Sequence, residues 1–253
     1  MHYTINLVKV SRISKTKRTI RNIMKKLIAV TILILSLNFN SYSQATTRVF
    51  TQEFAGQATR NGVFDTKKYN DTEGTPYIFK EFMLTEIVGF DQKLMMRYNA
   101  EADEIEFKKN ETETIILSKE ELFNTVIMNF GKYKLRLLNY KTTKGEGIYG
   151  YLAEVTIAKD ISLLRRDKII LEEARQPKTT FESYIPAKLV KAKSDYYLEL
   201  KDKSIIAMPS SKKELIAIYP NKKEAITTYL KENNFSCKDE NDLIKITEYI
   251  STL

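Results

Sequence analysis

Histidine, cysteine and tryptophan are almost missing from this 253-residue chain. The only histidine is His2, the only cysteine is Cys237, and tryptophan is absent. Because His2 lies in a predicted leader, the mature chain lacks the imidazole of a Ser-His-Asp or Cys-His mechanism and of a histidine-ligated zinc site. One cysteine cannot form an internal disulfide, so stability must come from the core. We expect Cys237 to be a half-buried structural residue rather than a reactive thiol.

The excess of positive charge is confined to the start of the chain. The formal net charge is +9, yet eight of the 41 basic residues precede residue 45, where no acidic residue occurs. The remainder therefore holds 33 basic and 32 acidic residues. A near-neutral body lacks the basic surface that nucleic acids require, so we expect no nucleic-acid partner.

Residues 1–43 have the pattern of a secretory signal peptide. The positive stretch Met24–Lys26 precedes the apolar run Leu27–Leu37, and small residues stand at Ser41 and Ser43. We predict that translation begins at Met24, that cleavage follows Ser43, and that the protein is exported to the periplasm or the cell surface. The run is shorter than the roughly 20 residues that span a bilayer, so we expect no permanent membrane span after cleavage.

Residues 44–208 alternate apolar and polar side chains in short runs, which predicts an antiparallel β-rich body. The predicted features are a tight turn at Asn61-Gly62, a hairpin of 94–98 with 104–107, a hairpin of 132–140 with 148–157, and a meander of 188–193, 196–201 and 204–208. Consecutive hairpins indicate a meander that forms a sandwich or an open barrel. Residues 172–186, with two prolines, are predicted to be the most flexible part of the body.

Residues 118–130 fit two structures. Ser118–Glu121 has the form of a capping box, which indicates a helix, whereas the β-branched run Thr125–Ile127 favours a strand. We predict a strand.

Residues 209–253 change to a helical period and predict two to three short helices. Ser211 and Asn221 are the expected N-caps of the first two helices, and a third helix is expected from about Asp239. Short amphipathic helices cannot bury their apolar stripes alone, so we expect this segment to pack on the body. The predicted fold class is mainly β with C-terminal α (α+β).

Several short motifs together resemble a family of uncharacterised exported bacterial proteins. The similarity covers most of the mature chain and is carried by these segments: Ser43-Gln44, Gly74–Ile78, Arg97–Asn99, Asp103–Phe107, Asp195–Leu198 and Lys222–Ile250. The resemblance implies one continuous unit and supplies no activity and no catalytic residue.

Two motifs resemble catalytic signatures. Gly145–Gly150 fits G-x-G-x-x-G, but a strand pattern follows it where a dinucleotide site needs a helix, so a hairpin turn is favoured. Ser210–Lys213 fits the S-x-x-K motif of penicillin-binding proteins without its companion motifs, so helix capping is favoured.

Carboxylates offer two further possibilities. Asn99, Glu101 and Asp103 alternate like the ligands of a calcium loop, but Glu104 and Asn110 stand where that loop needs glycine and glutamate. Paired glutamates at 120–121 and 172–173 could serve glycoside hydrolysis only if two carboxylates face each other. We predict no catalytic residue, no metal ligand and no cofactor.

Tyrosine is abundant, with 15 residues in the chain. Tyr149, Tyr151, Tyr196 and Tyr197 form a candidate recognition face, because tyrosine combines contact area with a hydrogen bond. Packing on a half-buried sheet is the competing explanation.

Three functions remain open from the sequence. The first is a non-enzymatic envelope protein that binds another protein or a cell-surface component. The second is a histidine-independent hydrolase that uses Asp, Glu, Tyr or Ser-Lys chemistry. The third is a carrier of a hydrophobic ligand inside an open barrel.

Overall fold

The computed structural model describes residues 68–179 and 181–253. In this part of the chain the strands come first, and three α-helices follow at the C-terminal end. The strands are β1 Met83–Ile87, β2 Lys93–Asn99, β3 Glu104–Lys108, β4 Thr114–Ile116, β5 Thr125–Met128, β6 Tyr133–Lys141, β7 Gly147–Ala158, β8 Ile161–Arg166, β9 Ile169–Glu172, β10 Lys188–Lys191, β11 Asp195–Glu199 and β12 Ile205–Ala207. The helices are α1 Lys212–Ile218, α2 Lys223–Glu232 and α3 Glu240–Thr252. The predicted class, mainly β with C-terminal α, is confirmed.

Ten strands form one antiparallel sheet in the order β12-β11-β8-β7-β6-β5-β1-β2-β3-β4, and β9 and β10 pair separately. The sheet is open and does not close into a barrel. Both predicted hairpins are confirmed, with Arg97 opposite Glu106 and Leu137 opposite Tyr151.

The predicted meander of residues 188–208 is wrong in its first strand. β10 pairs with β9, whereas β11 pairs with β8 and β12. Alternation shows which side chains of a strand point inward, but it does not select the partner strand. Leu189 of β10 is buried in the first core cluster, so β10 follows that core rather than β11.

The ambiguous segment forms the predicted strand over a shorter range. A 3₁₀ turn at Glu121–Phe123 precedes β5, and a turn with left-handed backbone angles, Asn129–Gly131, follows it. Residues Asn129, Phe130 and Gly131 all have positive φ angles, of 51°, 54° and 87°.

Buried side chains form one large core under β1–β7 and a second one where the helices cover the sheet. In the second core, Leu163 of β8 and Leu198 of β11 pack with the helices, which contribute Leu215, Ile226, Leu230, Leu243, Ile246 and Ile250. A third, smaller cluster lies on the opposite sheet face and contains Tyr140, Leu152, Leu164 and Tyr197.

One of the two predicted helix caps is present, and the third helix has a cap at Asp239, near its predicted start. The Ser211 hydroxyl accepts the Glu214 N–H at 3.3 Å, and the Asp239 carboxylate accepts the Asp242 N–H at 3.0 Å. Asn221 is not a cap, because Pro220–Lys222 forms a 3₁₀ turn and α2 begins only at Lys223. Proline fixes φ near −65° and favours this turn at the start of the segment.

Over the residues that the structure describes, no helix combines the length and the apolar character needed to cross a membrane. The predicted leader and the Asn61-Gly62 turn lie outside the described residues.

Candidate functional site

The four tyrosines of the predicted recognition face do not share one exposed surface. Tyr149 is 37% exposed, whereas Tyr151 and Tyr197 are buried. Tyr196 is partly buried, and its hydroxyl donates to Glu240 at 2.7 Å. Tyr196 and Tyr197 are adjacent in β11 and point to opposite faces, both of which are covered. The burial of Tyr151 and Tyr197 and the internal hydrogen bond of Tyr196 favour packing as the role of these three side chains.

Three of the motifs behind the family resemblance meet at Glu106. Its carboxylate accepts the Arg97 Nε–H at 2.8 Å, the Tyr77 hydroxyl at 3.2 Å and the Asn99 amide at 3.4 Å. Tyr77 comes from the Gly74–Ile78 segment, and Arg97 and Asn99 come from β2. The sequence therefore contained the components of a polar cluster, although their distances could not be read from it.

The raised pKa of Glu106 is typical of a general acid, but its carboxylate is not accessible to a substrate. Burial raises the pKa of Glu106, and the contacts from Arg97, Tyr77 and Asn99 only partly oppose this shift. The side chain has no exposed surface, and the Arg97 guanidinium lies over it, stacked on Tyr77 at 3.7 Å and on Phe82 at 4.2 Å. In this arrangement the cluster joins the Gly74–Ile78 segment, which precedes β1, to β2 and β3.

The predicted calcium-loop residues are each engaged with protein groups. The Asn99 side-chain oxygen accepts the N–H groups of Glu101 and Ala102, and Glu101 binds the Lys68 ammonium at 2.8 Å. Burial tends to raise the pKa of Glu101, but hydrogen bonds from Lys68 and Tyr69 hold it below its ordinary value. Over the described part of the chain, no group of three or more His, Cys, Asp or Glu is placed to hold a metal ion.

Asp103 connects the β2–β3 turn to β7 and was not identified as an anchor from the sequence. Its carboxylate accepts the Tyr98 hydroxyl at 2.7 Å, the Tyr151 N–H at 3.2 Å and the Lys119 ammonium at 2.7 Å. It reaches β7 because position 150 is glycine, where a Cβ would lie 2.4 Å from Asp103 Oδ2. The only available signal was the glycine inside a strand pattern, which indicates a close approach.

A further buried carboxylate, Asp167, serves the packing of α3. It accepts the Tyr133 hydroxyl at 2.8 Å and the Arg165 guanidinium at 3.1 Å. Arg165 also binds Glu240, in the first turn of α3, at 2.7 Å. These contacts fix the start of the helix on β8.

The two catalytic-looking motifs have structural roles here. The Ser210 hydroxyl donates to Glu214 at 3.0 Å, so the serine is paired with a carboxylate at the helix start. Gly145, with φ of 87°, forms the turn between β6 and β7, and β7 follows it as a strand. The paired glutamates Glu172-Glu173 line an open groove of about 590 Å³ together with Arg175 and Lys188.

Exposed apolar side chains cluster around β1 and β2. Leu84 is 54% exposed, and its register partner Met95 is 41% exposed. Val88 continues the outward series of β1 and is also exposed. Phe130, 93% exposed, lies in the turn that follows β5, beside β1. We name Leu84, Val88, Met95 and Phe130 the β1–β2 patch.

Comparison with known proteins identifies no relative. No protein-family model, no curated protein and no solved structure matches the chain. A function can therefore be inferred only from the geometry of the described residues. They include an exposed apolar surface and buried carboxylates that are engaged in internal contacts.

Proposed function

We propose that this chain is an exported, non-enzymatic protein of the cell envelope that binds another protein through the β1–β2 patch. The observation that carries the proposal is Phe130, a large aromatic side chain that is almost fully exposed and held in a left-handed backbone conformation.

The positive φ angles of Asn129 and Phe130 close the β5–β6 hairpin, but the turn does not require a large apolar side chain at position 130. A left-handed conformation costs a residue with a Cβ about 1 kcal/mol or more, and Phe130 recovers little of this by burial. Glycine or asparagine would suit this turn better, so an exposed phenylalanine at position 130 favours a role outside folding. The strain is local, because the three positive φ angles are consecutive and end at Gly131.

The surroundings of Phe130 suit a protein partner. Methionine and phenylalanine are enriched in protein interfaces, and the exposed Leu84 and Met95 extend the apolar area next to it. Glu86 and Lys93 lie beside these residues and approach each other at 3.7 Å, which gives the patch a polar rim. Apolar centres with polar rims are the usual composition of a recognition surface.

The first experiment tests the patch in the native host. A photo-crosslinking amino acid is placed at Leu84, and a matched copy carries it at the exposed Ile157 on β7. We expect a discrete crosslinked protein from position 84 and none from position 157. The intact mass of the same sample shows whether the mature chain begins at Gln44, as predicted for an exported protein.

A second variant separates binding from folding. Phe130→Gly removes the side chain and suits the left-handed backbone, so the free energy of unfolding should not fall, whereas recovery of the partner should drop at least about tenfold. Two results contradict the proposal. The first is a partner protein that crosslinks equally from positions 84 and 157, and the second is a Phe130→Gly variant that loses stability. The second result would make Phe130 a structural residue.

A further inference from the structure

The separate pair β9 and β10 forms an arm, residues 169–191, that extends beyond its two strands. Arg175 and Ile185 exchange backbone hydrogen bonds of 2.9 and 3.1 Å, so the hairpin continues past the ends of both strands. At its base, Leu189 donates its N–H to the Glu73 carbonyl at 2.7 Å, and Ile169 and Leu189 are buried in the first core. The base of the arm is therefore held against the first core by a backbone hydrogen bond and by buried side chains.

The tip of the arm exposes apolar side chains. Phe181 is fully exposed, and Tyr184 and Ile185 are about half exposed. The backbone of the tip is engaged in its own turn, where the Lys178 N–H donates to the Glu182 carboxylate at 2.8 Å and the Glu182 N–H donates to the Thr179 carbonyl at 3.2 Å. A turn with internal hydrogen bonds loses less free energy when it enters a medium of low polarity.

A cavity of about 410 Å³ lies beside these side chains, lined by Arg175, Gln176, Lys178, Glu182, Ser183 and Ile185. The arm carries four basic and three acidic side chains, and of the acidic ones only Glu182 lines this cavity. The Glu182 carboxylate already accepts the Lys178 N–H. Two cations, one carboxylate and a hydroxyl thus line the same cavity as an exposed apolar residue.

We propose that the arm tip binds the surface of an anionic phospholipid membrane. The headgroup phosphate occupies the cavity against Arg175 and Lys178, while Phe181 and Tyr184 enter the boundary between headgroups and acyl chains. Aromatic side chains favour this boundary, and basic side chains favour anionic headgroups. A lipid surface is favoured over a protein because the fully exposed Phe181 lies in the turn of a hairpin that also carries Arg175 and Lys178.

The experiment measures co-sedimentation of the full chain with vesicles. Vesicles of phosphatidylethanolamine and phosphatidylglycerol are compared with vesicles of phosphatidylcholine alone. We expect the wild type to bind the anionic vesicles. The affinity should be about tenfold lower for Phe181→Ser and about fivefold lower for each of Arg175→Gln and Lys178→Gln. Ile157→Ser, an exposed apolar residue on β7, should bind like the wild type. Every variant carries the same N-terminus, so the leader cannot cause a difference.

Three results would overturn the proposal. The first is a wild type that does not sediment with anionic vesicles. The second is a Phe181→Ser variant that binds them as well as the wild type. The third is a Phe181→Ser variant that loses a crosslinked protein while it retains vesicle binding. The last result would make the arm a protein-docking element. Far-UV circular dichroism of each variant verifies that the fold is unchanged, and partner binding through the β1–β2 patch is measured separately.

Discussion

At the residue scale, single small or charged side chains decide which strands can approach each other. Gly150 lies inside β7 without a positive φ angle, so backbone conformation does not require glycine there. Its role is to leave room for the Asp103 carboxylate, which joins Tyr98, Lys119 and the β7 backbone. A carboxylate with three donors is well compensated for its partial burial.

We predict that Gly150→Ala lowers the free energy of unfolding by about 1–3 kcal/mol, because the new methyl group displaces the Asp103 carboxylate. Gly147→Ala is the matched control, since nothing lies within 4 Å of a Cβ at that position. Urea denaturation of both variants gives the comparison. Equal stabilities for the two variants would mean that the β2–β3 turn moves without cost.

At the element scale, strand and helix identity follow local pattern, and side-chain caps fix where α1 and α3 begin. α3 is the longest helix among the described residues, and its apolar side chains Leu243, Ile246 and Ile250 are buried against the sheet. Its start is held by the Asp239 cap and by Glu240, which binds Arg165. Acidic residues at a helix start also interact favourably with the helix dipole.

Asp239→Ala should lower the free energy of unfolding by about 1 kcal/mol, because the Asp242 N–H loses its acceptor. Lys238→Ala changes the preceding exposed residue and should have little effect. Denaturant midpoints for the two variants and the wild type test this difference. If Lys238→Ala costs as much as Asp239→Ala, the loss does not come from the cap.

At the scale of the whole molecule, the sheet curls so that distant strands make contact. Arg136 on β6 and Glu199 on β11 are separated by β7 and β8, yet they form a bidentate pair at 2.6 and 3.0 Å. β12 also lies close to β6. Strands three places apart in a flat sheet would be about 14 Å apart, so curvature helps to bring these side chains together.

The Arg136–Glu199 pair predicts a pH dependence of stability. Hydrogen bonding to Arg136 lowers the pKa of Glu199 below its ordinary 4.5. The pair therefore stabilises the fold above pH 4.5, and its contribution is lost as the pH falls through the lower pKa of the folded state. At neutral pH, Glu199→Gln should cost about 2 kcal/mol. The difference from the wild type should shrink in acid.

Glu86→Gln is the control for this prediction, because Glu86 is exposed and its nearest cation, Lys93, is 3.7 Å away. Urea denaturation of the three proteins from neutral to acidic pH measures the dependence. A constant difference between the wild type and Glu199→Gln at every pH would show that the pair does not titrate as described.

The sequence by itself determined the local structure of this protein. Period-two alternation identified the hairpins β2–β3 and β6–β7, and the side chains of Ser211 and Asp239 marked two helix starts. These features depend on neighbours within a few residues, so pattern and capping chemistry are sufficient to predict them. The predictions of a signal peptide and of export also rest on the sequence alone.

Only the tertiary structure decided which elements meet and which side chains remain exposed. β10 pairs with β9 because both enter the first core, and no local pattern encodes that choice. Two of the four tyrosines singled out from the sequence are buried, whereas Phe130 and Phe181, which carry the two proposals, have no distinctive sequence signature. The exposure of a side chain depends on all long-range packing contacts together. It can be read from a sequence only when the pairing of the strands is known.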